Sequence, residues 1–396
     1  MKLHRQRHQA TIRMLLALLT TLIAPCQLLA QDRMPYIADG LLDTTQVATL
    51  GLPRCGTSVT MTIFSPADED PHYANGAVMT VFRDTLYCMW QSSLTDEDAP
   101  ETCVLYSTSG DEGATWSTPR LLAAATDSAF CTSGGWLTAR DTLTAFINTW
   151  GAVPVVRYVT TTDGRTWSAP QPVTMADGSP MNGIMEQDPC TLADGRIVGA
   201  VHFSPGLHVM PVVTDSPTGH SGWRRAQFRA HDRGKQSQEL EPSQYVQRDS
   251  TLVMVFRDQG GSFRKMAALS HDHGETWTDT AITNIPDARV KQSAGNLPDG
   301  TAFLAGCPSA GKQRYPLAVL FSADGVCFDR GVLLRSGAAA SPTRPEGLQP
   351  QRWTGRYKTL GYSYPKSLVW RGRLYVVYAT NKEDVECTII SCPKMP

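Results

Sequence analysis

The 396-residue sequence has no long run of Lys or Arg, and its 36 basic residues are set against 37 acidic ones for a formal net charge of −1. Nucleic-acid binding needs a concentrated basic patch to neutralise phosphates, so DNA and RNA are not expected partners. The ten cysteines include no CxxC pair and have no His-rich neighbourhood, which removes the spacing of a zinc site. A Gly-rich phosphate loop is also lacking. No metal, nucleotide or redox cofactor is therefore expected. Beyond the first thirty residues no apolar run approaches the roughly 20 residues of a transmembrane helix, and no segment sustains a helical period. What is present, 41% hydrophobic and 18% charged residues, excludes disorder and allows a large core.

The first residues read as an export signal. Lys2, Arg5, Arg7 and Arg13 precede an apolar run from Met14 to Ile23, and Ala30 before Gln31 offers a cleavage site. Residues 1–30 are thus set apart as a signal peptide, and 31–396 are expected to form one periplasmic or secreted domain. Cys26 suggests a lipid anchor, but Pro25 stands where a small residue is wanted, so anchoring is the weaker expectation. The cysteines after Cys26 are odd in number and scattered, which favours isolated buried thiols.

An internal repeat organises the rest. Ser109-Gly110-Asp111-Glu112-Gly113-Ala114-Thr115-Trp116 and Ser270-His271-Asp272-His273-Gly274-Glu275-Thr276-Trp277 share the pattern S-x-D-x-G-x-T-W. Shortened versions run from Thr161 to Trp167 and from Ser322 to Phe328, and a worn copy lies between Thr214 and Trp223. Their starts recur roughly every 52 to 56 residues, as expected for one four-stranded blade repeated around an axis. Asp and Ser/Thr side chains can bond the backbone of a turn, Gly can take a positive φ, and the aromatic residue can be buried between sheets. Short β-rich runs such as 252–256, 317–321 and 374–378 lie between the copies. The pattern predicts an all-β propeller of six blades, with the closing blade built from both chain ends.

These turns resemble the Asp boxes of the sialidase (neuraminidase) superfamily, whose members are six-bladed propellers with the active site opposite the boxes. The resemblance covers nearly all of the mature chain. It implies a tyrosine nucleophile primed by a glutamate, an aspartic acid as general acid/base, and three arginines around the substrate's carboxylate. A neutral phenol suits such a substrate because a carboxylate nucleophile would be repelled by it.

Carried over residue by residue, Gly361-Tyr362-Ser363-Tyr364-Pro365 is similar to the family's Tyr-Ser segment. It assigns Tyr362 as nucleophile, with Tyr364 on the substrate-binding side. Glu241, with Glu239 as its rival, resembles the priming glutamate. Arg257 and Arg314 resemble the second and third arginines, and Asp98 or Asp96, in the loop after Trp90, the general acid/base.

The sequence departs from the family at the first arginine, where His72-Tyr73-Ala74-Asn75 places Ala74. The glutamate that would hold that arginine is missing too, since Ala379 follows Val377-Tyr378. Asn75, Lys366, Lys291 and the segment Asn381-Lys382-Glu383 are candidate substitutes for recognising an acidic sugar. Glu186-Gln187-Asp188 and the pair His202 and His208 leave room for a histidine base. The expectation is an exported exo-glycosidase of sialidase type acting on a glycan ending in sialic acid or a related acidic sugar. A uronic-acid glycosidase or lyase, and a glycan-binding propeller without turnover, remain as alternatives.

Overall fold

Each copy of the repeated turn joins the third and outermost strands of a blade. The computed structural model describes residues 32–392 apart from 235 and 345. The expected signal peptide and Cys26 fall outside the described residues. Of the unit Met1–Arg33 only Asp32 and Arg33 are described, without regular structure. In the unit Met34–Pro396 the regular elements among the described residues are all strands.

The strands form six blades. Blade 1 runs outward through Tyr73–Phe82, Thr85–Ser93, Cys103–Ser109 and Arg120–Ala123, and blade 2 through Phe130–Ala139, Thr142–Trp150, Val155–Thr161 and Gln171–Pro172. In blade 3 the inner edge is split: Gly183–Ile184 and Cys190–Thr191 both pair with Ile197–Phe203, followed by His208–Thr214 and Arg224–Arg225. Blade 4 comprises Glu239–Val246, Leu252–Asp258, Arg264–Ser270 and Ala281–Pro286, and blade 5 Ser293–Asn296, Ala302–Gly306, Leu317–Ser322 and Arg330–Arg335. Blade 6 takes Tyr362–Trp370, Arg373–Thr380 and Asp384–Ser391 from the C-terminal end and closes with Val59–Phe64 from the N-terminal end. The six-bladed propeller expected from the repeat is therefore present, including its shared closing blade.

Alternation along the strands explains the ring. In Leu252–Asp258, Val253 and Val255 enter the apolar cluster shared with blade 5, whereas Leu252, Met254 and Phe256 enter the one shared with blade 3. Six such clusters fill the six gaps between neighbouring blades. Every blade is thus apolar on both faces, a consequence of the period of two in a strand buried on both sides.

The repeated turn staples each blade to the one before it. In blade 4, Ser270 Oγ donates to Asp272 Oδ1 at 2.9 Å and accepts from Gly274 N at 2.9 Å, while the N–H of Thr276 reaches Asp272 Oδ1 at 2.9 Å. Trp277 Nε1 donates to the Gly274 carbonyl at 3.0 Å. Gly274 has φ 87°, and a Cβ there would lie 3.1 Å from both Val198 and Val213 of blade 3. Only glycine meets both demands. The worn copy keeps its function: Trp223 is fully buried and donates to the Gly219 carbonyl at 2.7 Å.

Because these turns follow the third strand, they lie at the end of the propeller opposite the starts of the inner strands. Those starts, together with the ends of the second strands, carry the candidate site.

Candidate active site

The inner strands are broken near their starts at corresponding places. Register shifts occur at Asn75/Val78 in blade 1, Ser133/Gly135 in blade 2, Leu240/Ser243 in blade 4 and Ser363/Lys366 in blade 6. A bulge re-aims the side chain it carries. Within these bulges Glu241 has φ 52° and Tyr364 φ 55°, and each is followed by a proline. Left-handed backbone at a non-glycine residue costs about 1–2 kcal/mol. Asp98, at φ 59° in the loop after Thr85–Ser93, shares this conformation.

All three residues line one cavity of about 250 Å³ at the hub, with Glu97, Glu186, His202, Arg257, Lys291 and Trp150 among its other walls. The Tyr364 phenol shares this cavity with the Glu241 carboxylate and helps to keep it ionised. Burial pushes the Glu241 carboxyl toward protonation. The charge of Arg257, the nearby Tyr364 phenol, and Lys291 and Arg314 together outweigh burial, so the group is held below its usual range. Arg257 Nη1 lies 3.0 and 3.2 Å from the two Glu241 oxygens. Burial, with the negative charges of Glu241 and Glu97, keeps the Tyr364 phenol protonated well beyond its ordinary range. The resting pair is therefore a neutral phenol beside an ionised carboxylate.

Asp98 differs. Burial first, and the charge of Glu97 second, raise its pKa, which suits a group that must donate a proton. Glu186 is raised to about 7, chiefly by burial, and its Oε2 is buried without a partner. His202 is lowered to about 4 by burial, and its Nε2 accepts the Glu241 N–H at 3.2 Å. The ring is thus neutral and holds the Glu241 backbone, a positioning arrangement that occupies the nitrogen a base would need.

Four cations surround the phenol. Lys291 Nζ is 5.3 Å, the Arg314 guanidinium carbon 5.5 Å and Lys382 Nζ 6.0 Å from the Tyr364 ring centroid, and Arg257 is bound to the adjacent Glu241. Position 74 bears no charge, but the Ala74 N–H bonds the carbonyl of Lys382 at 3.1 Å. The lysine of the closing blade stands beside the uncharged position.

Other sequence-stated residues lie elsewhere, with identifiable causes. Tyr362 is not at the hub. It is fully buried between blades 5 and 6, its hydroxyl donating to the Ser336 carbonyl at 2.8 Å under the Arg335 guanidinium. The bulge at Tyr364–Pro365 turns the chain after Tyr362, so Tyr364, placed only on the substrate side, takes the position assigned to Tyr362. Asp96 accepts the Tyr357 N–H at 3.0 and 3.2 Å and pins the segment before blade 6; of the two aspartates, Asp98 is the one at the cavity. Lys366 lines a second cavity, bonded to Gln187 and 3.3 Å from Asp188, with burial lowering its pKa to about 8. Asn75 is fully buried behind Glu97, to which its Nδ2 donates at 3.3 Å. Glu239, the rival of Glu241, is bound to His231 and Thr280 away from the cavity. Arg257, Arg314, Lys291 and Glu241 are brought together.

Glu97 and Lys382 were not singled out as a pair. Their contact links residues 285 apart, beyond any local pattern. The displacement from Tyr362 to Tyr364 did leave a signal. Glu241-Pro242 and Tyr364-Pro365 repeat the same X-Pro step at the same point of two inner strands.

Among the described residues no group of three or more His, Cys, Asp and Glu side chains could hold a metal ion. No helix there is long and apolar enough to cross a membrane.

A family model described as a BNR repeat-like domain matches residues 84–376. A solved structure named as a sialidase superposes with TM-score 0.63 at 17% identity, covering 91% of this chain and 35% of its own. The chain thus spans only about a third of that protein. A protein of unknown function from Dyadobacter fermentans superposes with TM-score 0.62 at 16% identity, covering 85% of this chain and 98% of its own. A Hadza microbial sialidase gives TM-score 0.64 at 14% identity, with 84% and 68% covered. These likenesses establish the fold. No curated protein matches the sequence.

Proposed function

The chain belongs to the BNR repeat-like domain family, and on that premise we propose that it is an exported, exo-acting glycoside hydrolase of sialidase type, cleaving a terminal sialic acid or related acidic sugar from a glycan. The observation that carries this reading is the Tyr364 phenol in one cavity with the Glu241 carboxylate, within a ring of cations.

Tyr364 Oη attacks the anomeric carbon while its proton passes to Glu241, and the glycosidic oxygen leaves with the proton of Asp98. The resulting glycosyl–tyrosine is opened by water, which gives a proton to Asp98 as the phenol regains its own from Glu241, and the configuration is retained. Lys291 and Arg314 attract the substrate's anion, and His202 and Arg257 hold Glu241 in place. A phenol avoids the repulsion that a carboxylate nucleophile would meet beside an anionic sugar.

The test offers the purified protein a fluorogenic sialoside beside a panel of acidic glycosides. Turnover of one member that is lost in Tyr364→Phe and kept in Tyr362→Phe supports the reading. Turnover that survives Tyr364→Phe overturns the nucleophile, and no turnover of any member favours a glycan-binding propeller. Export is tested by the mature N-terminus in the native host, with cleavage before Gln31 expected.

A further inference from the structure

The cations around Tyr364 differ in what answers their charge. Lys382 Nζ lies 2.8 Å from Glu97 Oε2, and the pair is largely buried, at 3% and 20% side-chain exposure. The other oxygen of Glu97 accepts from the Tyr73 hydroxyl at 2.9 Å and from Asn75 Nδ2 at 3.3 Å. Arg257 is likewise answered by Glu241. Lys291 Nζ, by contrast, has no hydrogen bond or ion pair among the described residues, although its side chain lines the cavity and the residue is only 3% exposed. Arg314 bonds the neutral hydroxyl of Ser363 at 2.8 Å. Lys382 and Arg257 are thus each paired directly with a carboxylate, whereas on the side of blade 5 Lys291 meets Glu186 and Glu241, and Arg314 meets Glu241, only through space.

We propose that Glu97 is a specificity-determining residue: its carboxylate holds Lys382 and fills that side of the cavity with an internal anion, so a substrate carboxylate is seated against Lys291 and Arg314. This rests on the acidic-sugar reading above. The physical reasons are two. A buried lysine already bonded to a carboxylate has little attraction left for a second anion, and the carboxylate lining the cavity repels one directly. Selectivity against a differently oriented or doubly charged sugar follows from that repulsion.

The test is calorimetric titration with free N-acetylneuraminate and with its uncharged methyl ester, which needs no turnover. Glu97→Gln should strengthen binding of the acid about tenfold, the effect of one charged contact, and leave the ester unchanged. Adding Lys382→Met to Glu97→Gln should remove the part of that gain that comes from the freed lysine, leaving only the part due to the lost repulsion. Lys291→Met alone should weaken the acid about tenfold without affecting the ester; it keeps the proposal testable if Glu97→Gln melts early. The proposal is overturned if Glu97→Gln leaves the acid-to-ester ratio unchanged or binds no acid, if the double variant keeps the whole gain, or if Lys291→Met keeps the ratio. The hydrolase reading stands or falls separately, on turnover by Tyr364→Phe.

Discussion

Glu241 and Tyr364 occupy equivalent bulges of blades 4 and 6, both at positive φ and both before a proline, and the phenol of one and the carboxylate of the other line the same cavity. Two blades bear the same local strain at the same height, and the third such residue at the cavity is Asp98. Left-handed backbone persists at non-glycine residues where the surroundings over-determine it, and such residues cluster at functional sites.

The two tyrosines of Tyr-Ser-Tyr-Pro should separate in a stability measurement. Tyr362→Phe removes the hydroxyl from the Ser336 carbonyl and leaves a buried acceptor unsatisfied, so unfolding free energy should fall by about 1–3 kcal/mol. Tyr364→Phe should leave the denaturant midpoint nearly unchanged. Equal midpoints for the two variants would contradict the placement of Tyr362.

As the proposed general acid, Asp98 should set the alkaline limb of activity. As general acid it must be protonated, and burial followed by Glu97 raises its pKa, with Asp96 adding to the shift and Lys382 opposing it. Rates of kcat/KM should fall as pH rises through the raised Asp98 value, and Asp98→Asn should remove that limb while lowering the rate by about 10²–10⁴-fold. Substrates with activated leaving groups should lose least. An alkaline limb that survives Asp98→Asn would assign the proton elsewhere.

Glu186 makes stability depend on pH. Its folded pKa of about 7 stands above the ordinary carboxyl value of 4.5, so between the two the folded state keeps a proton that the unfolded chain has lost. Stability contributed by this group is full below the unfolded value and is lost as pH rises toward about 7, by up to about 3 kcal/mol. Melting temperatures of the wild type should fall relative to Glu186→Gln over that window. Parallel curves would contradict the assignment.

The repeated turns hold the blades and stand apart from the chemistry. Asp272→Ala removes bonds to Ser270 and Thr276 and should cost about 1–3 kcal/mol of stability. KM and kcat should not change, because the turn lies at the opposite end from the cavity. A change in either at temperatures where the variant is folded would couple the two ends.

The scaffold was legible because the turn carries its reasons in a few adjacent residues: Asp272 for the backbone, Gly274 for φ and contact, and Trp277 for the gap between blades. Even the worn copy at Thr214–Trp223 kept its buried tryptophan. Individual site residues were less legible because a bulge changes which way a side chain points. Tyr362 and Tyr364 have the same parity in an unbroken strand, so alternation could not choose between them. Lys366, past the bulge, lines a second cavity and not the one that holds Tyr364. Glu97 sat unnoticed between Asp96 and Asp98, since its partner Lys382 is at the far end of the chain. Arg257, Glu241, Arg314 and Lys291 were placed together because each lies at the mouth end of its blade.

The most direct measurement is mass spectrometry of the protein quenched in acid during turnover of a slow acidic glycosyl fluoride. A glycosyl adduct on Tyr364, absent from Tyr364→Phe, is the expected result. An adduct on Glu241, Asp98 or Tyr362, or product of inverted configuration with no adduct at any residue, would contradict the phenol's role.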